Sequence, residues 1–226
     1  ELETLLPVDM EPRGTNESPS MAMVMVIDHS GSMSEIVDDG ETNLDLAVAA
    51  AENAVSELRE KDYVGVVSFD DTYTWVVPIT KAEDKDGIKE KIETIPEGGG
   101  TTIRPAVRAA VEAVKDCDAE IKHVVLLTDG QGETTNFMDV TEQCKQSGIT
   151  LSTVAVGADS DTSLLKNLAE DCGGRYYYSD ISTDIPKIFA REVFLSGETY
   201  LQNGTFTLSV NSSNAVTRGL FADGWP

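Results

Sequence analysis

Asp28, Ser30 and Ser32 stand at alternate positions just after an unbroken apolar run, Met21 to Ile27, with Gly31 between the two serines. One carboxylate and two hydroxyls on so tight a loop form a set of hard oxygen ligands, suited to a hard divalent cation such as Mg²⁺. The same residue types also cap helices, and this stretch alone leaves both readings open. Two further places carry matching chemistry. A second apolar run, His123 to Thr128, again ends in a carboxylate, Asp129, followed by Gly130. A glycine-rich loop, Gly98-Gly99-Gly100-Thr101-Thr102, leads into a helical pattern at Pro105.

The elements that must position these residues follow from periodicity. Apolar runs at 21–27, 63–69, 123–128 and 150–156 suit strands buried on both faces. A short strand at 74–77, stopped by Pro78, returns as a hairpin, and 176–178 adds an edge strand. Between them lie amphipathic helices over 43–61, 85–95, from Pro105 onward, 137–146, from the Asp161 cap to Cys172, and 184–195. This alternation predicts an α/β fold, a doubly wound, mostly parallel six-stranded sheet with helices on both faces and one short antiparallel edge strand. In such sheets ligands bind beyond the carboxyl ends of the strands. Asp28 and Asp129 both sit there, and the threonine loop opens a helix on the same side. The convergence of three oxygen-bearing loops favours the metal reading over the capping one. Residues 1–20 read as an extended lead-in, 21–198 as the domain, and 199–226 as an arm or the start of a next element.

Composition sets the outer limits. The 226 residues carry 17 Lys plus Arg against 40 Asp plus Glu, a net charge of −23. Such a surface disfavours phosphate backbones and anionic headgroups, so neither nucleic acid nor direct membrane insertion is expected. No apolar run nears the ~20 residues a transmembrane helix needs. The acidic start at Glu1, without an initiator Met, reads as a chain cut from something longer, or processed. Cys117, Cys144 and Cys172 are widely spaced and read as small buried hydrophobes rather than zinc ligands or a disulfide framework.

Competing chemistries lack parts. The glycine loop has no Lys-Ser/Thr pair for a nucleotide phosphate, and Asp28, His29 and Ser30 are loop neighbours that point different ways. A Mg²⁺-dependent hydrolase or phosphotransferase using Asp28 is the alternative function, but it wants a lysine near the strand ends, and Lys122 precedes its strand. His29 reads as solvent-facing or as a neighbour of the ligands, and His123 as structural. Asp38, Asp39, Glu41, Asp70 and Asp71 read as solvated rim charges, with a second cation site as the sharper option.

With those residues in place, the chain resembles a von Willebrand factor type A domain over roughly residues 21–196. The motif parts are Asp28-His29-Ser30-Gly31-Ser32, Gly99-Gly100-Thr101 and Thr128-Asp129-Gly130. The resemblance implies a metal-ion-dependent adhesion site with Asp28, Ser30, Ser32, Thr101 and Asp129 as ligands, Thr102 being next in line for Thr101. It implies Mg²⁺, with Mn²⁺ or Ca²⁺ as substitutes, and a protein partner whose acidic residue completes the ion. That is a binding module and not an enzyme. Stretches such as IKHVVLLTDG also resemble large bacterial membrane-anchored proteins that join this domain to a glutamine-amidotransferase-like one. This implies an extracytoplasmic or cell-surface location.

Overall fold

Strand β1, Met21–Asp28, is buried along its whole length, as its unbroken apolar run requires. The computed structural model describes residues 19–38, 40–129, 136–156, 160–179 and 185–198. Residues 1–18 of the expected lead-in over 1–20, the arm over 199–226, Asp39 and Gly130 lie outside the described residues. After β1 come a 3₁₀ turn (Gly31–Ser34), β2 (Ile36–Asp38), β3 (Glu41–Thr42), α1 (Asn43–Glu57), β4 (Tyr63–Phe69) and β5 (Tyr73–Lys81). Then follow α2 (Lys85–Ile92), α3 (Ile103–Lys115), β6 (Ile121–Thr128), α4 (Met138–Ser147), β7 (Thr150–Val156), α5 (Thr162–Asp171), β8 (Gly173–Ser179) and α6 (Ile185–Glu198).

The six-stranded sheet has the order β5-β4-β1-β6-β7-β8, and only β5 runs antiparallel to its neighbour. β1 is central, paired in parallel with β4 and with β6, so that Ile27 lies beside both Ser68 and Leu127. Its alternation feeds two cores. Met21, Met23, Met25 and Ile27 pack with α1 and α6 residues such as Ala47, Ala51 and Phe189. Ala22, Val24 and Val26 pack on the other face with Val107 and Val111 of α3 and Leu165 of α5. The chain leaves β1 toward one sheet edge and returns through β6 on the other side. The strand order therefore switches between β1 and β6, where their carboxyl ends flank a crevice.

Three expectations need correction. The hairpin strand does not stop at Pro78: β5 continues to Lys81, and register shifts opposite Val64–Val66 and Val66–Val67 place bulges on β5. Pro78 sits within the first bulge of an edge strand, where the ladder does not need its missing N–H. The helix after β3 ends at Glu57, short of Lys61. There Asp62, buried, accepts from Arg59 N–H (2.9 Å) and from Arg59 Nε (2.9 Å), and it also holds Met21 N–H at 3.0 Å. That turn breaks the helix and anchors the start of β1 in one stroke. The acidic stretch 35–42 is more than a loop, since β2 and β3 pair antiparallel outside the main sheet. Cys144 and Cys172 are buried, Cys117 half-buried, and all three are free thiols.

Candidate metal centre

The first loop is built by continuing the β1 ladder one residue past the strand. His29 N–H donates to Phe69 O (3.0 Å), which fixes where Asp28 emerges. The Asp28 carboxylate is fully buried; Oδ1 accepts from Ser30 N–H (2.8 Å) and Oδ2 from the Thr128 hydroxyl (2.5 Å). Ser30 precedes the 3₁₀ turn but makes no side-chain capping bond; its hydroxyl lies 3.2 Å from that of Ser32. Helix α1 instead takes its cap from Thr42, in a reciprocal box with Asp45. The helix-cap reading of Asp28 and the serines is therefore not the one this loop adopts.

Backbone bonds press the second loop against the first. Gly31 N–H donates to Gly99 O (2.9 Å) and Gly98 N–H to His29 O (2.7 Å). Thr101 and Thr102 follow, both half-buried, at the foot of α3, and Thr102 N–H donates to Asp70 O at 2.8 Å. Asp70 and Asp71, expected to be solvated rim charges, hold this loop: Gly99 N–H reaches Asp70 Oδ2 (3.4 Å) and Gly100 N–H reaches Asp71 Oδ2 (3.2 Å). The Thr72 backbone N–H, ahead of smaller contributions, keeps the Asp70 carboxyl below its ordinary value. His29 is buried, which corrects the solvent-facing option, and its Nδ1 has no hydrogen-bond partner among the described residues.

The third loop leaves β6 beside β1. Asp129 is buried, and its carbonyl accepts from Asp161 N–H (3.2 Å), tying it to the start of α5. Its charge acts on Asp28, whose carboxyl is pushed up to about 6 by burial first. Hydrogen bonds from Thr128 and Ser30 pull that value partly back, and Asp129 adds to the push.

Asp28, Ser30 and Ser32 thus share one loop, the threonine loop is bonded to it, and Asp129 lies within electrostatic reach. Among the described residues no three His, Cys, Asp or Glu side chains form a metal-holding group. An ion here would depend on the hydroxyls, which is the donor chemistry Mg²⁺ accepts. The donor set fits: two buried carboxylates of like charge, with no cationic side chain among the main influences on Asp28, are what a divalent cation would stabilise. Sequence reasoning did not single out Thr128, Asp70 or Asp71 for these parts. Thr128 was findable, because adjacent parallel strands ending together put it opposite Asp28.

The glycines are needed for close approach. A Cβ on Gly98 would lie 2.5 Å from His29 Nδ1 and 3.0 Å from the Asp70 Cβ; one on Gly100 would lie 2.2 Å from Asp71 Oδ1. Gly98→Ala is expected to push the second loop off the first, weakening metal binding about tenfold and costing about 1–3 kcal/mol of stability. Calorimetric titration and a urea melt would show it; unchanged values in both would mean the loop contact is not structural.

Residues 22–191 match the family model for the von Willebrand factor type A domain. The chain is 28% identical over 203 residues to "Uncharacterized protein YfbK" of Escherichia coli (strain K12), covering 85% of this chain and 34% of that protein. It is 27% identical over 190 residues to calcium-activated chloride channel regulator 4 of Homo sapiens, covering 81% of this chain and 20% of that one. The chain thus spans about a third and a fifth of the lengths of these two relatives. In fold it is similar to proximal thread matrix protein 1 from the mussel byssus, solved with a zinc-occupied MIDAS motif. The TM-score is 0.64 at 20% identity, over 78% of this chain and 46% of that one.

Proposed function

The chain belongs to the von Willebrand factor type A domain family, and from that premise we propose that it is a divalent-metal-dependent protein-binding module with no catalysis of its own. Asp28, Ser30, Ser32, Thr101 and Asp129 would hold the ion. A bound divalent ion such as Mg²⁺ would offer a coordination position for a partner's carboxylate. The chain's own residues set up that position. Thr128 and Ser30 orient the Asp28 carboxylate, Asp70 and Asp71 steady the threonine loop, and Asp161 N–H fixes the Asp129 backbone.

The observation that carries this reading is the Asp28 carboxylate. It is fully buried at the strand-order switch, near a second carboxylate, and surrounded by hydroxyls. The family is one of metal-dependent adhesion and interaction modules, and one structural neighbour carries zinc at this motif, which supports a divalent ion without choosing Mg²⁺ over Mn²⁺, Ca²⁺ or Zn²⁺. Residues 21–198 would constitute the module. We place it outside the cytoplasm or at the cell surface, as part of a longer membrane-anchored protein with a glutamine-amidotransferase-like domain, on sequence resemblance. No described helix is itself long and apolar enough to cross a membrane.

Calorimetric titration with each of the four ions tests the site. The wild type is expected to bind at least Mg²⁺ or Mn²⁺, and Asp129→Ala to lose tenfold or more in affinity. Equal binding by both proteins would exclude these loops as the site.

A further inference from the structure

A groove of about 290 Å³ opens beside the threonine loop, lined by Tyr73, Arg104, Pro105, Arg108, Ala109 and Glu112. Its place follows from the topology. Helix α3 starts two residues after Thr101, and β5 starts with Tyr73 just beyond the Asp70 and Asp71 that hold the glycine loop. The groove therefore lies on the same rim as the three ligand loops. On a chain of net charge −23, two guanidiniums one helical turn apart, each paired with a single carboxylate, bring cationic donors to the rim that carries the three loops.

Both arginines are accessible to a newcomer. Arg104 reaches Asp139 at 2.9 Å and Arg108 reaches Glu112 at 2.9 Å, with side chains 36% and 57% exposed. Exposed pairs of this kind contribute little, and a guanidinium has five N–H donors to share with an incoming carboxylate. The apolar surroundings point to a polypeptide as that newcomer. The exposed large hydrophobics among the described residues are Ile36, Tyr73, Met138 and Tyr178. Ile36 follows the first loop, Tyr73 opens antiparallel β5, Met138 opens α4, and Tyr178 stands one residue before the end of β8, so all four stand at the carboxyl-end rim. Exposed tyrosine and methionine beside arginine are residue types enriched in protein interfaces.

We infer that the partner segment carries two carboxylates, one for the metal and a second for the Arg104–Arg108–Tyr73 groove; this rests on the metal-bridged reading above. Arg104 and Arg108 lie three and seven residues beyond Thr101, about 5–10 Å along the helix at ~1.5 Å per residue. An extended peptide advances about 3.3 Å per residue. The second acidic residue therefore falls roughly two to four positions from the first.

The test uses fluorescent Gly/Ser peptides bearing one aspartate, two aspartates three positions apart, or two aspartates eight positions apart, titrated in Mg²⁺ by anisotropy. The three-apart peptide is expected to bind wild type at least fivefold tighter than either other peptide. In Arg104→Gln/Arg108→Gln that advantage is expected to disappear. Equal affinities on wild type, an advantage that ignores spacing, or one that survives in the double variant would overturn the two-carboxylate proposal alone. If no peptide binds in a Mg²⁺-dependent way, or Asp129→Ala binds as well as wild type, the metal-bridged reading fails and this inference falls with it.

Discussion

Asp28→Asn is expected to make the metal-free protein more stable and to abolish its stabilisation by Mg²⁺. Burial raises the Asp28 carboxyl from 3.8 to about 6, so the folded chain prefers the neutral acid more strongly than the unfolded chain does. Below pH ~4 both states hold the proton and the site costs nothing. As pH rises from ~4 through ~6 the penalty grows, reaching about 3 kcal/mol at neutral pH, from ~1.4 kcal/mol per pKa unit. Asparagine cannot ionise and keeps an oxygen for the Ser30 N–H. A gain of about 1–3 kcal/mol is expected at pH 7.5 in chelator, shrinking toward zero by pH 4. That is a rise of roughly 2–4 °C in Tm per kcal/mol for a domain of this size. In wild type, Mg²⁺ at a hundredfold excess over its Kd should add about 2.7 kcal/mol, and in the variant nothing. Thermal melts at the two pH values, with chelator and with Mg²⁺, decide it. A metal-free variant less stable than wild type at pH 7.5, or one equally stabilised by Mg²⁺, would sink the account of why this carboxylate is buried.

The second large effect is expected at the opposite end of the sheet. Glu192 of α6 is fully buried; it meets His123 Nε2 of β6 at 2.9 Å, the Tyr177 hydroxyl of β8 at 2.5 Å and Arg175 at 3.3 Å. His123 is held in turn by Thr150 Oγ1 of β7 at 2.6 Å. One carboxylate on the last described helix thus ties together side chains from three strands. Truncation by Glu192→Ala leaves those donors buried and unmatched, and is expected to cost about 3–5 kcal/mol. Burial alone would lift the Glu192 carboxyl, but the hydrogen bond and charge of His123, then the hydroxyls of Tyr177 and Ser152, hold it down at about 2. A depressed acid contributes its stability above the unfolded value of 4.5, and that contribution, about 3 kcal/mol, is lost as pH falls from ~4.5 toward ~2. Urea melts of wild type and Glu192→Gln are expected to differ most at pH 6–7 and to converge near pH 2.5. A gap that stays constant across that range would mean the carboxylate's charge is not what the network uses.

Parallel strands are buried on both faces, so their apolar runs are long and their ends abrupt. That is why β1, β4, β6 and β7, and the carboxylates at the ends of β1 and β6, are legible from residue types alone. The edges are not. Pro78 reads as a stop in isolation, and only the bulged, outermost position of β5 lets the strand pass through it. Asp62 closes the turn after α1 through Arg59 and is itself buried by holding Met21, 41 residues away, a contact that no local pattern carries. Asp70 and Asp71 read as solvated charges, and Asp71 is exposed, but the hydrogen bonds they accept from backbone amides of a loop 29 residues on leave no trace in their own neighbourhood. His123 was read as structural. Its partner on α6 could not be named, since pairing across 69 residues depends on which sheet face the helix covers.

The placement of β1 between β4 and β6 also dictates an order of birth. Asp28 and the Thr128 hydroxyl that holds it are 100 residues apart. At about 5–20 residues per second, the ribosome delivers the second some 5–20 seconds after the first. Through that interval the most apolar strand of the chain can have β4 along one edge and nothing along the other, which makes it an aggregation-prone segment while it waits. Any nascent chain cut off before β6 therefore lacks Thr128 and Asp129 and leaves one edge of the central strand uncovered. The third loop, with Asp129, joins the first two only in the late event that pairs β6 with β1.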